Sequence, residues 1–472
     1  MNRLHLEWVK ESQVIQVFRR AILLCLGVGF LGFYSGVAGQ DVEMSVYQRD
    51  ANRIIEAAIG THRAYERLGD LVDTFGHRLS GSVALEQAID WIVQQMENDG
   101  LDNVRTDHVM IPHWERGQES VTMTLPRVMS MPMLGLGGSI GTPVGGIKAE
   151  VMVVNSFEEL NQRKEEAAGR IVLYDVEFTT YGETGLYRRQ GAVEAAKAGA
   201  VAMLLRSVGP FGIQTPHTGN MSYQDGVTRI PAAAITMEHS MMIKRIIDRD
   251  QRVEINLTMG AEWFPDAPSR NVMGEITGRE FPEEIVVFGG HIDSWDVGQG
   301  AMDDGGGVVA AWEAIRLLKE LGLRPRRTIR AVGWTSEENG GPGGDEYRRQ
   351  NDPDGSNHVL AMESDGGVFS PQGFGFTGSE EAFQIVSAIG ALLEPVGSNA
   401  ITRGGGGADI APLMAEGVPG MGLQVDGSKY FWYHHTNGDT LDKLDPDELA
   451  RVVATMAVMA YVVAEMPERL PR

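Results

Sequence analysis

The chain has 472 residues, 43% of them hydrophobic, and a formal net charge of −23. The apolar share supports a large core and more than one domain. The acidic balance argues against nucleic acid, whose phosphates need a basic surface, and against anionic membrane surfaces.

Arg19 and Arg20 precede an apolar run over 21–33, and small residues follow it. That order predicts an export signal over 1–39, cut after Ala38 or Gly39. The protein is then exported, to a periplasm or the exterior, with no membrane association after cleavage. Cys25, the only cysteine, lies inside the run. A mature chain without cysteine has no disulfides, and any metal site must use His, Asp and Glu.

Residues 45–66 and 83–99 read as helices. The second carries Ala84, Ala88, Trp91, Ile92 and Met96 on one stripe. Alternation from 104 to 125 predicts strands. A segment rich in Gly, Pro, Met and Ser over 126–145 reads as irregular connection. Strands and helices then alternate to about 262, predicting a compact α+β module. After the Pro-containing stretch 264–270 a new rhythm begins. Apolar strands at 283–290, 327–336, 358–364 and 420–426 alternate with helices at 307–321, 383–393 and 446–464. Asp445, Pro446 and Glu448 supply a helix start. This pattern predicts an α/β fold with a mainly parallel central sheet flanked by helices. The expected organisation is a catalytic domain in two parts, 40–125 and 263–472, interrupted by an insert over 126–262.

Ionisable residues stand just beyond four of these strands. His291, Asp293 and Asp303 follow the first, Glu337 and Glu338 the second, Asp365 the third. His434 and His435 follow the fourth after a loop. Open α/β sheets bind ligands beyond the carboxyl ends of their strands. Converging carboxylates repel one another unless cations neutralise them. Two histidines with three or four carboxylates suit zinc, or a hydrolytic metal pair about 3.5–4 Å apart.

In sequence order, the HxD at His291, MDDGGG, SEENGG, ESDGG and YHHTNGDT resemble the co-catalytic, two-zinc exopeptidases with an aminopeptidase-type catalytic domain, and within them the carboxypeptidase branch. The resemblance implies two zinc ions per chain. Asp303 would bridge them, His291 and Asp365 completing one site and Glu338 and His435 the other. Glu337 would be the general base toward the attacking water. It also implies a cis bond at Asp303–Asp304. Asp293 is expected to accept the second ring N–H of His291, and Asp304 to cap the following helix. The family pattern selects His435 over His434, which would line the pocket or simply pack. Tyr433 and Arg403 are weaker candidates for substrate binding, arginine as a clamp for a carboxylate. Asp409 is a candidate for orienting a ligand. The insert resembles a protease-associated domain, to which a lid role or dimerisation is open. The implied activity is hydrolysis of dipeptides or short peptides in carboxypeptidase or dipeptidase mode. The alternatives are aminopeptidase action on the same core, or a metal-free binding ectodomain.

Overall fold

Alanine, valine and methionine dominate the chain after Asp445, and this stretch forms the buried helix Pro446–Glu465. The Asp445 carboxylate accepts from the backbone N–H of Asp447 at 2.8 Å and of Glu448 at 3.2 Å. These are donors that a first helical turn leaves without partners. Helix Gly306–Glu320 packs beside it, and both lie on a central sheet. The structure is a computed structural model that describes residues 44–472. The expected export segment lies outside the described residues. Among the described residues, no helix is long and apolar enough to cross a membrane.

The central sheet has eight strands. In spatial order they are Asp102–Glu115, Glu262–Ile276, Arg327–Trp334, Phe281–His291, His358–Glu363, Gly420–Val425, Pro371–Thr377 and Ala400–Arg403. Its middle is parallel: Phe281–His291 pairs in parallel with Arg327–Trp334 and His358–Glu363, and His358–Glu363 with Gly420–Val425. Antiparallel pairs flank that middle, so the sheet is mixed. The parallel strands are buried on both faces, which is why they read as unbroken apolar runs.

A second eight-stranded sheet is built from strands between Glu119 and Met259. Its centre is a parallel set, Ile147–Val154, Ile171–Tyr174, Ala202–Arg206 and Ala232–Ile235. Its apolar residues form clusters distinct from the core of the central sheet.

Three local features depart from the reading of the sequence. The first predicted helix is two, Ser45–Ile59 and Arg63–Phe75, broken after Gly60, a poor helix former. The segment 126–145 holds two short strands, Met129–Met131 and Met133–Gly135, which join the second sheet. The stretch 264–270, assigned to no element from its sequence, is part of the long strand Glu262–Ile276. Proline is tolerated there because this part of the strand pairs only with Asp102–Glu115, while Arg327–Trp334 pairs further along, from Val272.

Candidate functional site

The four central parallel strands run the same way, so their carboxyl ends share one edge of the sheet. His291 is the last residue of Phe281–His291. Glu337 and Glu338 follow Arg327–Trp334, and Asp365 follows His358–Glu363. His434 and His435 follow Gly420–Val425 by way of two short turns, Gly427–Lys429 and Tyr430–Tyr433.

Asp303 is the meeting point. Its Oδ1 lies 3.2 Å from His291 Nε2, which is 3.3 Å from Asp365 Oδ1. Its Oδ2 lies 3.3 Å from His435 Nε2 and 3.6 Å from His434 Nε2. His435 Nε2 is also 3.1 Å from Glu338 Oε2. Donor atoms of His291, Asp303 and Asp365 lie within 4.8 Å of one another, as do those of Asp303, His434 and His435. The two adjacent histidine rings stack with centroids 3.5 Å apart. Both therefore reach Asp303, and His435 alone of the pair also meets Glu338.

Burial pushes the Glu337 carboxyl up to about 9, with Asp365, Glu338 and Asp293 adding to the rise. Burial likewise raises Glu338 and Asp365, and the charge of Asp303 adds to both. Asp303 goes the other way. Burial opposes its charge, but the surrounding imidazoles of His291, His435 and His434 hold it well below the usual carboxylate range. So many carboxylates in one buried place call for positive charge. Asp303 Oδ2 and Glu338 Oε1 are buried and have no hydrogen-bond partner. The donor set and these free oxygens fit a hard or borderline divalent cation such as zinc.

The surrounding loop is held by residues that donate or accept at backbone atoms. Asp304 accepts from His291 N–H and Gly307 N–H, both at 3.1 Å, tying the strand end to the helix start. A Cβ at Gly290 would lie 2.0 Å from that carboxylate, so only glycine fits. The Asp303–Asp304 bond is cis, as the resemblance implies. Asp293 departs from expectation. His291 Nδ1 pairs with the backbone carbonyl of Asp293 at 3.0 Å, while the nearest carboxylate oxygen is 3.6 Å away. The carboxylate instead accepts the backbone N–H groups of Glu337 at 3.1 Å and Glu338 at 3.3 Å. Asp293 thus orients the acidic pair more directly than the imidazole.

Sequence reasoning passed over several supports. Asp439 accepts from Ala301 N–H at 3.1 Å, Met302 N–H at 2.7 Å and Asp303 N–H at 3.2 Å. Fully buried Arg78 donates to the carbonyls of Ile292, Gln299 and Gly300 at 2.7–2.9 Å. Burial pulls its guanidinium down to about 10, against the pull of nearby aspartates. Trp295 Nε1 donates to Glu338 Oε2 at 2.6 Å. Arg78 stands in GHRLSGS and Asp439 in TNGDT, and neither motif marks the backbone groups that its residue serves. Nothing local marked Trp295.

The weaker candidates divide. Arg403 is exposed, pairs with Glu380 and lies over the Phe383 ring at 4.0 Å. That placement lends the carboxylate-clamp reading no support: from the edge strand Ala400–Arg403 the guanidinium lies against the helix Glu380–Gly390. Tyr433 packs against the main core and beneath Lys443. His434 lies in the cluster, with Tyr181 edge-on to its ring at 4.9 Å. Asp409 is buried with both carboxylate oxygens unpaired. Burial and its neighbours Glu363 and Glu337 push it well above its ordinary range.

Residues 271–460 match the family described as Peptidase family M28. The chain is 50% identical over 458 residues to mouse carboxypeptidase Q, spanning 95% of this chain and 97% of the mouse protein. It is also 50% identical to human carboxypeptidase Q, spanning 89% and 90%. Among solved structures, the peptidase M28 precursor from Shewanella amazonensis is 34% identical with a TM-score of 0.87, covering 91% of this chain and 99% of that one. A zinc aminopeptidase from Bacillus subtilis shares the fold at 20% identity, with a TM-score of 0.64 over 85% of this chain and 94% of that one.

Proposed function

The chain belongs to peptidase family M28, and from that premise we propose that it is a zinc-dependent exopeptidase of carboxypeptidase or dipeptidase type, acting on dipeptides or short peptides. The observation that carries this reading is the convergence of His291, Asp303, Glu338, Asp365 and His435 on the carboxyl edge of the parallel strands. Identity of about 50% to carboxypeptidase Q along nearly the whole chain favours carboxypeptidase over aminopeptidase mode.

Two zinc ions per chain would be held by His291, Asp303 and Asp365 on one side and by Asp303, Glu338 and His435 on the other. When bound, zinc supplies Lewis acidity toward the scissile carbonyl and makes water a better nucleophile at neutral pH. Glu337 is half-buried and directly precedes Glu338. With bound cations offsetting the neighbouring carboxylates, Glu337 would be ionised and act as the general base that takes the proton of the attacking water and passes it to the leaving amine. Asp293 fixes the backbone from which Glu337 projects. His434 borders the same space. The second sheet serves as a protease-associated insert that covers the site. Export to a periplasm or the exterior and homodimer formation complete the proposal.

Metal analysis together with a substrate panel tests it. Purified chain should carry zinc and cleave a dipeptide and its N-acetyl form but not its C-terminal amide. Absence of both zinc and metal-dependent hydrolysis would overturn the enzyme reading, and cleavage of the amide with loss of the N-acetyl form would favour aminopeptidase action.

A further inference from the structure

We propose that Trp295 is a positioning residue for Glu338, held against it by Gly137 in the loop that follows the second-sheet strand Met133–Gly135. The inference rests on the zinc reading above. The indole Nε1–H is 2.6 Å from Glu338 Oε2, and both side chains are buried. An indole donates and cannot accept, so it favours the ionised carboxylate. It engages Oε2 and leaves Oε1 without a hydrogen-bond partner. Glu338 is thereby fixed in rotation, with one oxygen free for a cation.

The far side of the ring explains why the indole cannot withdraw. A Cβ at Gly137 would lie 1.9 Å from Trp295 Cη2 and 2.3 Å from Cζ3. The ring fills the space that a side chain would need. Gly137 is itself pinned, since its N–H donates to Gly219 O and its carbonyl accepts from Met221 N–H, both at 3.0 Å. The loop that pins Gly137, between the second-sheet strands Ala202–Arg206 and Ala232–Ile235, also reaches His435. Thr218 N–H donates to His435 O at 2.9 Å, and His435 Nδ1 lies 3.4 Å from Thr218 O. Arg116 joins the two contacts, donating to Asp296 Oδ2 at 2.7 Å and to Thr218 Oγ1 at 3.4 Å. Glu338 and His435, the pair proposed for one ion, are both oriented from loops of the second sheet. The Nδ1 of His291 instead pairs within its own loop. The second sheet is therefore part of the machinery that sets one metal site and not only a cover over both.

The test is zinc competition against a chromophoric chelator on the full chain, with kinetics alongside. Trp295→Phe keeps a smaller aromatic ring and removes the N–H. One zinc should weaken about 10–100-fold, as for other groups that orient metal ligands, with the other unchanged. Loss should appear in kcat rather than KM at saturating zinc. Gly137→Ala, which pushes the ring away, should weaken the same ion. Unchanged affinities in W295F, or equal weakening of both ions, would overturn the inference while leaving the zinc reading intact. A wild-type chain that binds no zinc would instead remove the reading on which it rests. Should W295F not fold, G137A decides by the same criteria.

Discussion

Replacing Asp439 with alanine should unlock the loop that presents Asp303. Three buried backbone donors, Ala301, Met302 and Asp303, end on this one carboxylate. Each buried donor left without a partner costs about 1–3 kcal/mol, so the three together amount to roughly 3–9 kcal/mol before the loop relaxes. Release of a buried acid returns part of this, since burial and the charge of Asp303 already push Asp439 up to about 7. A net loss of about 3 kcal/mol is a large fraction of a typical native stability of roughly 5–15 kcal/mol. Asparagine separates charge from geometry. With its oxygen at the Oδ1 position it keeps the Ala301 and Met302 bonds and sets an N–H against that of Asp303. Its cost should be about 1–3 kcal/mol, one bond's worth. Thermal melting gives the global effect, and amide exchange of a peptide covering 298–306 gives the local one. The order should be wild type, D439N, D439A in both. Unchanged melting and unchanged exchange protection in D439A would refute the claim that this carboxylate holds the loop.

Glu337→Gln should lower kcat by about 10²–10⁴-fold, the usual share of general base catalysis, while zinc content measured by atomic absorption stays at the wild-type level. His435→Ala should lose one bound zinc and His434→Ala none, because only His435 meets both Asp303 and Glu338; metal analysis of the two variants reads this directly. Arg403→Ala should change kcat/KM less than about twofold and stability by less than about 1 kcal/mol, since its ion pair is exposed; a large rise in KM would restore it as a substrate clamp.

His291, Glu337, Glu338 and Asp365 were legible because each ends or closely follows an apolar strand, where a parallel sheet delivers it to a known edge, whereas Asp303 and His435 lie further along their loops and were marked by the family motifs. His291 closes its strand, and Glu337, Glu338 and Asp365 come within a few residues of theirs. The supports were not legible, because each acts through backbone atoms or over a long stretch of chain. Asp439 serves the amides of 301–303, and Arg78 the carbonyls of 292, 299 and 300. No periodicity encodes such pairings. Asp293 shows the limit within a motif: two residues from His291, its carboxylate nonetheless turns to the amides at 337 and 338. The strand through 264–270 was missed for a related reason, since its prolines are permitted by the open edge of a ribbon that only the paired structure reveals. The consequence is physical. Spacing in the sequence determines which atoms can bind a cation, but the direction in which each points is set by distant partners. One side of the cluster takes that direction from Arg78 and Asp439 in the catalytic part of the chain, the other from Trp295 backed by Gly137 and from Thr218, both in loops that connect strands of the second sheet. A displacement of the second sheet would therefore disturb Glu338 and His435 before it disturbed His291 and Asp365.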